Sequence, residues 1–152
     1  MKKLIIISFF FFAVAANAQQ LNEKGLYIDS EGNLFSGVIT AVNNGLKSEL
    51  EVKNGVIEGK ANYFFASGKL MESGLMANGL KDGQWTRFNE TGITSAIGFY
   101  TAGKKTGTWL VFDEKGTKRM EMNYTNGEKS GTWTSWDENG TLASTKVYGG
   151  AN

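Results

Sequence analysis

The side chains in this sequence that could do chemistry are carboxylates, serines and lysines, because the chain contains no histidine and no cysteine. That removes the commonest general base, the thiol nucleophile and the usual zinc ligands. Ser130 and Ser135 have no imidazole to activate them, and no Ser-Lys motif accompanies them. Paired carboxylates are what glycoside hydrolysis needs, and Asp113-Glu114 and Asp137-Glu138 are the candidates. They recur at matching places in successive stretches, whereas a catalytic pair occurs once, so they read as turn residues. Calcium binding fails on the same pattern. A dedicated site takes about six to eight oxygens, and the matching stretch Phe65-Ala66-Ser67-Gly68 has no carboxylate. Gly103-Lys104-Lys105-Thr106-Gly107 has glycines and lysines but neither the spacing of a phosphate-binding loop nor a following helix. The expectation is a protein that is not an enzyme, with no catalytic, cofactor-binding or metal residues.

The aromatic residues remain, and they are ordered. Gly55, Gly79, Gly103 and Gly127 are 24 residues apart, as are Gly59, Gly83, Gly107 and Gly131, and Gly68, Gly92, Gly116 and Gly140. Aromatic columns move with them: Ala61, Trp85, Trp109, Trp133; Phe64, Phe88, Phe112, Trp136; and Met76, Tyr100, Tyr124, Tyr148. The well-formed units span about 54–77, 78–101, 102–125 and 126–149. A degenerate unit covers about 33–53, and one more strand is expected near Leu26-Tyr27-Ile28, because the ends of a repeat array must cap it.

Each unit holds two candidate strands, for example Thr108 to Phe112 and Lys118 to Tyr124. The turns between them, Asn89-Glu90-Thr91-Gly92, Asp113-Glu114-Lys115-Gly116 and Asp137-Glu138-Asn139-Gly140, open on a side chain that bonds its own backbone and close on a glycine suited to positive φ. Asn78-Gly79 and Asn126-Gly127 between units are hairpin signals. No apolar stripe of helical period follows the N-terminus. With 20 glycines and no proline, the fold class is all-β: an antiparallel meander of tandem β-hairpin repeats forming an elongated twisted sheet. Like residues then align across strands, and a Trp85–Trp109–Trp133 ladder follows, with cross-strand aromatic pairs contributing about 0.2–1 kcal/mol each. Trp109 and Phe112 are three apart and should face opposite sides. Either a bulge brings them together or both faces carry aromatics.

The N-terminus reads separately. Lys2 and Lys3 precede the apolar run Leu4 to Ala16, and Ala16-Asn17-Ala18 is a small-x-small cleavage signal. Residues 1–18 are therefore expected to be a secretory signal peptide cleaved after Ala18, since the apolar run is short of the roughly 20 residues that span a bilayer. This leaves residues 19–152 as one repeat domain, exported to the periplasm or outside the cell. Removing Lys2 and Lys3 from 16 basic residues leaves 14 against 15 acidic. Such a balance gives no electrostatic footprint for nucleic acid.

The pattern Gly-x-x-x-Gly-x-Trp-x-x-Phe, then an acidic turn ending in Gly and a strand ending in Tyr-x-x-Gly, resembles the MORN repeat in its bacterial variant of about 24 residues. Gly79 to Trp85, Gly103 to Trp109 and Gly127 to Trp133 carry the match. The resemblance implies an extended sheet of hairpins. It also implies a scaffold that binds proteins, with phospholipid membranes as a further association. Bacterial proteins of this variant are often labelled antitoxin components, a label that suits the cytoplasm better than an exported chain.

The residues most open to two readings are Trp85, Trp109, Trp133, Phe88, Phe112, Trp136, Tyr100, Tyr124 and Tyr148. One reading makes them a packing ladder, and the other a surface that contacts a ligand. Lys81, Lys104, Lys105 and Lys129 near the inter-unit turns read as a mixed solvated edge, given Asp82 and Glu128 beside them. The expected function is a non-enzymatic protein-binding scaffold with another protein as its partner. The second reading is an envelope protein that binds membrane lipid or cell-wall glycan, and the third is an antitoxin- or immunity-like protein that neutralises a toxin.

Overall fold

The computed structural model describes residues 20–149, so the expected signal peptide at 1–18 lies outside the described residues. The described residues form twelve strands and no helix: β1 (Gln20–Leu21), β2 (Tyr27–Ile28), β3 (Gly37–Asn43), β4 (Leu46–Lys53), β5 (Val56–Phe64), β6 (Leu70–Ala77), β7 (Leu80–Phe88), β8 (Thr94–Thr101), β9 (Lys104–Phe112), β10 (Lys118–Thr125), β11 (Glu128–Trp136) and β12 (Leu142–Tyr148). Strands β3 to β12 lie side by side in chain order as one ten-stranded antiparallel meander, and β1–β2 is a separate two-stranded hairpin. The sheet is open, and the all-β hairpin meander expected from the repeat is what forms.

Two turn types alternate along it. The type I turns end in Gly68, Gly92, Gly116 and Gly140 at φ 82°, 87°, 81° and 77°. In each acidic turn the first side chain accepts two backbone N–H bonds; Asp113 Oδ1 takes those of Lys115 and Thr117, both at 2.9 Å. The turn at Phe65 has no such side chain, yet the Gly68 N–H still reaches the Phe65 carbonyl at 2.9 Å. The carboxylates therefore reinforce a geometry that backbone and glycine already support. At the other end of the strands, two-residue turns put both central residues at positive φ, as in Asn78 at 51° and Gly79 at 75°. These tips stack on one another. Gly79 N–H bonds Ile57 O at 2.9 Å, and Gly103 and Gly127 bond Lys81 O and Lys105 O at 2.8 Å.

The first strand of each unit starts earlier than its aromatic motif suggests, at Lys104 rather than Thr108 in the third unit. It continues through a bulge. Gly74 faces Trp85 and Leu75 faces Asp82, so Gly83 and Gln84 have no partners on β6. The glycines at this bulge, Gly83, Gly107 and Gly131, sit at φ 69°, 62° and 58°, where a side chain is disfavoured.

The N-terminal segment closes one end. Tyr27 N–H bonds Gly55 O at 2.9 Å, and Gly55 N–H bonds Phe35 O at 2.7 Å. This seats Tyr27 in a buried cluster with Ile39, Leu50, Val52, Ala61 and Trp85.

Candidate functional site

The bulge sets the geometry of the tryptophan column. Skipping two residues on the first strand of a unit leaves a carbonyl on the preceding strand without a ladder partner, free to accept from a side chain. The indole supplies it. Trp85 Nε1–H donates to Leu75 O at 3.0 Å, Trp109 to Phe99 O at 3.1 Å and Trp133 to Asn123 O at 3.0 Å. One side of the ring lies against backbone. A Cβ added at Gly74 would collide with Trp85, and one at Gly98 with Trp109. The next position of this column, one repeat after Gly98, is Met122 on the strand beside Trp133, so the glycine seat is not repeated in the fourth unit.

The tryptophans do not stack on one another. A tyrosine stands between each pair, giving the series Tyr63, Trp85, Tyr100, Trp109, Tyr124, Trp133, Tyr148, with successive ring centroids 6.1, 6.3, 5.1, 5.8, 5.3 and 4.9 Å apart. The pairs are tilted or edge-on, the arrangement that ring quadrupoles favour, and each is worth about 0.5–1.5 kcal/mol beyond its buried area. The expected Trp–Trp–Trp ladder is thus an alternating Trp–Tyr ladder, because the tyrosine-bearing strand lies between two tryptophan-bearing ones.

Lysine closes the outer side of each ring. Lys81 Nζ sits 3.9 Å from the Trp85 ring centroid, Lys105 Nζ 4.1 Å from that of Trp109 and Lys129 Nζ 4.6 Å from that of Trp133. Each also approaches the following tyrosine: Tyr100 at 5.2 Å, Tyr124 at 4.9 Å and Tyr148 at 5.2 Å. These distances fall within cation–π reach. Lys81 is further held by Glu72 at 2.7 Å. Burial lowers the Lys105 pKa, and the neighbouring Lys81 ammonium lowers it further. Burial raises the phenol pKa values of Tyr63, Tyr100 and Tyr124. Of the four lysines expected at a solvated edge, three fold over rings. Lys104 instead lies against the next turn, its Cβ 3.8 Å from a Cβ placed on Gly127.

Phe88, Phe112 and Trp136 are on the other face. The bulge near them belongs to the partner strand, since Arg87 faces Ala96 and Phe88 faces Thr94, leaving Ser95 extra. Regular alternation on β7 therefore separates Trp85 from Phe88. Both faces carry aromatics, which resolves the choice that spacing leaves open. Lys118 Nζ stands 4.2 Å from the Trp136 ring centroid and 2.8 Å from Glu121 Oε2. Leu75, Phe99 and Val147, on this same face, are exposed apolar side chains.

Among the described residues, no three acidic side chains gather where they could hold a metal ion. The nine aromatic residues singled out from sequence thus divide into six in the ladder and three behind it. Sequence reasoning missed the glycine seat, Tyr63 and the lysine covers. Lys81, Lys105 and Lys129 each precede a tryptophan by four residues, and Gly74 and Gly98 are one repeat apart, so a signal was present.

The family model described as a MORN repeat variant matches residues 105–126 and 129–148. A search of curated proteins finds no match. MORN repeats in general bind proteins or lipids. The two matched units fall on β9–β10 and β11–β12, where bulge glycine, tryptophan, acidic turn and tyrosine recur in full, and residues 105–148 thus carry two MORN repeats of the variant kind.

Proposed function

We propose that the protein is an exported, non-enzymatic scaffold that binds another protein. The observation that carries this reading is the enclosure of the tryptophan rings within the chain itself. Trp109 has Gly98 beneath it and the Lys105 ammonium over it. A sugar ring stacks on a free aromatic face, and reaching Trp109 would require displacing Lys105. Leu75 and Phe99 on the opposite face are, by contrast, exposed apolar side chains, the kind of surface that forms the dry centre of a protein interface. Export rests on Lys2-Lys3, the apolar run Leu4 to Ala16 and the Ala16-Asn17-Ala18 site.

A second reading, attachment to membrane lipid or cell-wall glycan, is favoured by one observation. Lys81, Lys105 and Lys129 place three ammonium groups in a row, one unit apart, or about 9–10 Å at two strand spacings. The two readings separate in one experiment. The protein is mixed with anionic vesicles and, separately, with insoluble cell wall, and a photoreactive residue at position 99 is irradiated in living cells. A scaffold stays in the supernatant in both mixtures and gives a discrete protein adduct. Pelleting that Lys105→Ala abolishes, with no protein adduct, overturns the scaffold in favour of the envelope reading.

A further inference from the structure

The geometry points to head-to-tail self-association of this chain, in which β12 of one copy pairs with β3 of a second copy. The argument begins with the direction of the backbone at each end of the sheet. The two-residue turn Asn126-Gly127 is flanked by Thr125 and Glu128, which face each other across β10 and β11. Backbone groups alternate along a strand, so Asn123 and Glu121 also bond toward β11; the Asn123 carbonyl confirms the direction by accepting the Trp133 indole. One repeat later, Val147 and Thr145 hold the same positions on β12, and among the described residues no strand lies beyond it. Their N–H and C=O groups point off the end of the sheet. At the other end, Asn43 and Leu46 flank Asn44-Gly45. Asn43, Ala41 and Ile39 therefore bond to β4, while Val42, Thr40 and Val38 turn their backbone outward. The N-terminal cap leaves that edge open. Its backbone bonds run to Gly55 at the turn, and among the described residues none runs to β3.

The two edges are complementary in type. Every internal junction between units joins the second strand of one unit to the first strand of the next. The edge strand β12 is a second strand. The edge strand β3 is a first strand: Gly37 faces Val52 and Ile39 faces Leu50, as Gly59 faces Met76 and Ala61 faces Gly74. Placing β3 of a second copy beside β12 reproduces the part of the β4–β5 junction on one side of its bulge, where Glu49 faces Asn62 and Leu50 faces Ala61. In that register Thr145 meets Thr40, Ser144 meets Ala41 and Lys146 meets Ile39. The β4–β5 junction forms with Ala61 in the tryptophan column, so an aliphatic residue there is sufficient. The outward-facing side chains also match. Val38, Val42 and Val147 are 57%, 54% and 75% exposed, and pairing the edges brings these β-branched residues together on one face with Thr40 and Thr145. Lys146 is the only charge on β12 and β3 has none, so no like charges oppose the contact.

Because the two surfaces differ, each added copy exposes a fresh β12 edge, and the assembly is open-ended rather than a closed dimer. One strand pair buries far less than the roughly 1,200 Å² of a stable interface. The association is therefore weak and rises with concentration.

The test uses protein expressed from its full reading frame and purified in the form the cell leaves it. Light scattering over a concentration series should show an average mass that passes twice that of one chain without a plateau. Proline is tolerated at a sheet edge but removes the outward donor, so Thr145→Pro and Thr40→Pro should each give monomers with an unchanged far-ultraviolet spectrum. Mixed in equal amounts they should form a one-to-one dimer, since each supplies the edge the other lacks. Val147→Glu and Val38→Glu replace the proline pair if either proline variant loses its fold. Four results overturn the proposal: wild-type protein that stays monomeric, a Thr40→Pro variant that still self-associates, association that survives both substitutions, or a mixture that remains monomeric.

Discussion

The two halves of the sheet use the same columns for different chemistry. In the N-terminal half, Ile57, Ala61 and Met76 occupy the positions that Lys105, Trp109 and Tyr124 occupy in the C-terminal half. The N-terminal cap lies over the first set, and Tyr27, Ile39, Leu50, Val52 and Ala61 form a buried cluster that extends to Trp85. Small aliphatic side chains suffice there because the cap excludes water. Among the described residues, no cap covers the second set. A single-layer sheet cannot bury a large ring by itself, so each later unit encloses its own tryptophan, with backbone or Met122 on one side and a lysine stem and ammonium on the other. The backbone is indifferent to this exchange. Turn glycines and two-residue turns keep the same φ in both halves. Fold is thus carried by glycine positions, while the column residues answer to the solvent each unit meets.

The largest effect that could break this comparison is at the tryptophans. Trp85 is 2% exposed and belongs to the capped cluster, so Trp85→Ala should cost about 3–5 kcal/mol. Trp133, in the open half, is only half-buried, and Trp133→Ala should cost about 1–2 kcal/mol. Equilibrium urea denaturation of the two variants measures both. Equal losses would mean that the ladder, and not the cap, is the source of burial.

The glycine seat comes next. Gly98→Ala drives a methyl into the Trp109 ring, and the ring is tied by its bond to Phe99 O, so it cannot move aside freely. Overpacking of this kind costs about 1–3 kcal/mol. Lys146→Ala, at the same column position in the last unit, should change stability by no more than about 0.5 kcal/mol. Tryptophan fluorescence should shift for Gly98→Ala and stay fixed for Lys146→Ala.

Which features could be read from sequence follows from the same distinction. Gly92, Gly116 and Gly140 each need positive φ, and Asn78-Gly79 and Asn126-Gly127 each need it twice, so one geometric demand writes one residue type in every unit. Strand number, strand order and the all-β meander follow from those demands. The ladder was harder to read because its parts are not all written in every unit. The seat is glycine at 74 and 98 but Met122 and Lys146 later, and the tyrosine between two tryptophans sits on a different strand from either. The role of Gly83, Gly107 and Gly131 as bulges depends on which carbonyl lacks a partner, and that appears only once β6 and β7 are in register. The sequence shows Tyr27 only as part of one more strand and Phe35 only as part of a degenerate unit, since the cap's hold on Gly55 is a tertiary contact with no repeat to signal it.

Alkaline pH should act on both halves, with the larger effect on the capped one. Burial raises the phenol pKa of Tyr63, and the charges of Glu72 and Tyr27 raise it further. Above pH about 10 the unfolded chain has lost this proton while the folded chain still holds it. The folded state then binds more protons, so stability falls as pH rises from about 10 toward the folded value. Lys105 works in the opposite sense. Its folded pKa is lowered, so the unfolded state binds more protons just below its own value near 10.5, and stability rises there. Tyr63 packs against the buried cluster and Tyr124 does not. Tyr63→Phe should therefore flatten the loss above pH 10 more than Tyr124→Phe does, as read from thermal midpoints between pH 8 and 11. A larger effect from Tyr124→Phe would place the better-buried phenol in the open half.

The smallest effect tests the claim that backbone geometry is indifferent to the division. Four of the two-residue turns begin with asparagine, at positions 44, 54, 78 and 126, with φ between 48° and 52°; the fifth begins with Ala102 at 47°. This turn joins β8 to β9, where the capped half gives way to the open one. Alanine pays a steric penalty in the left-handed region that asparagine largely escapes. The contacts around the two residues are alike: Ala102 N–H donates to Asp82 Oδ1 at 3.1 Å, and Asn78 N–H donates to Glu58 Oε2 at 2.8 Å. Ala102→Asn should therefore raise stability by about 0.5–1 kcal/mol, with a higher denaturation midpoint and an unchanged dependence on denaturant. Ala102→Val, with a branched Cβ in the same region, should lower it. If Ala102→Asn gives no gain, the turn at the junction differs from its four counterparts, and the backbone, like the columns, changes where the cap ends.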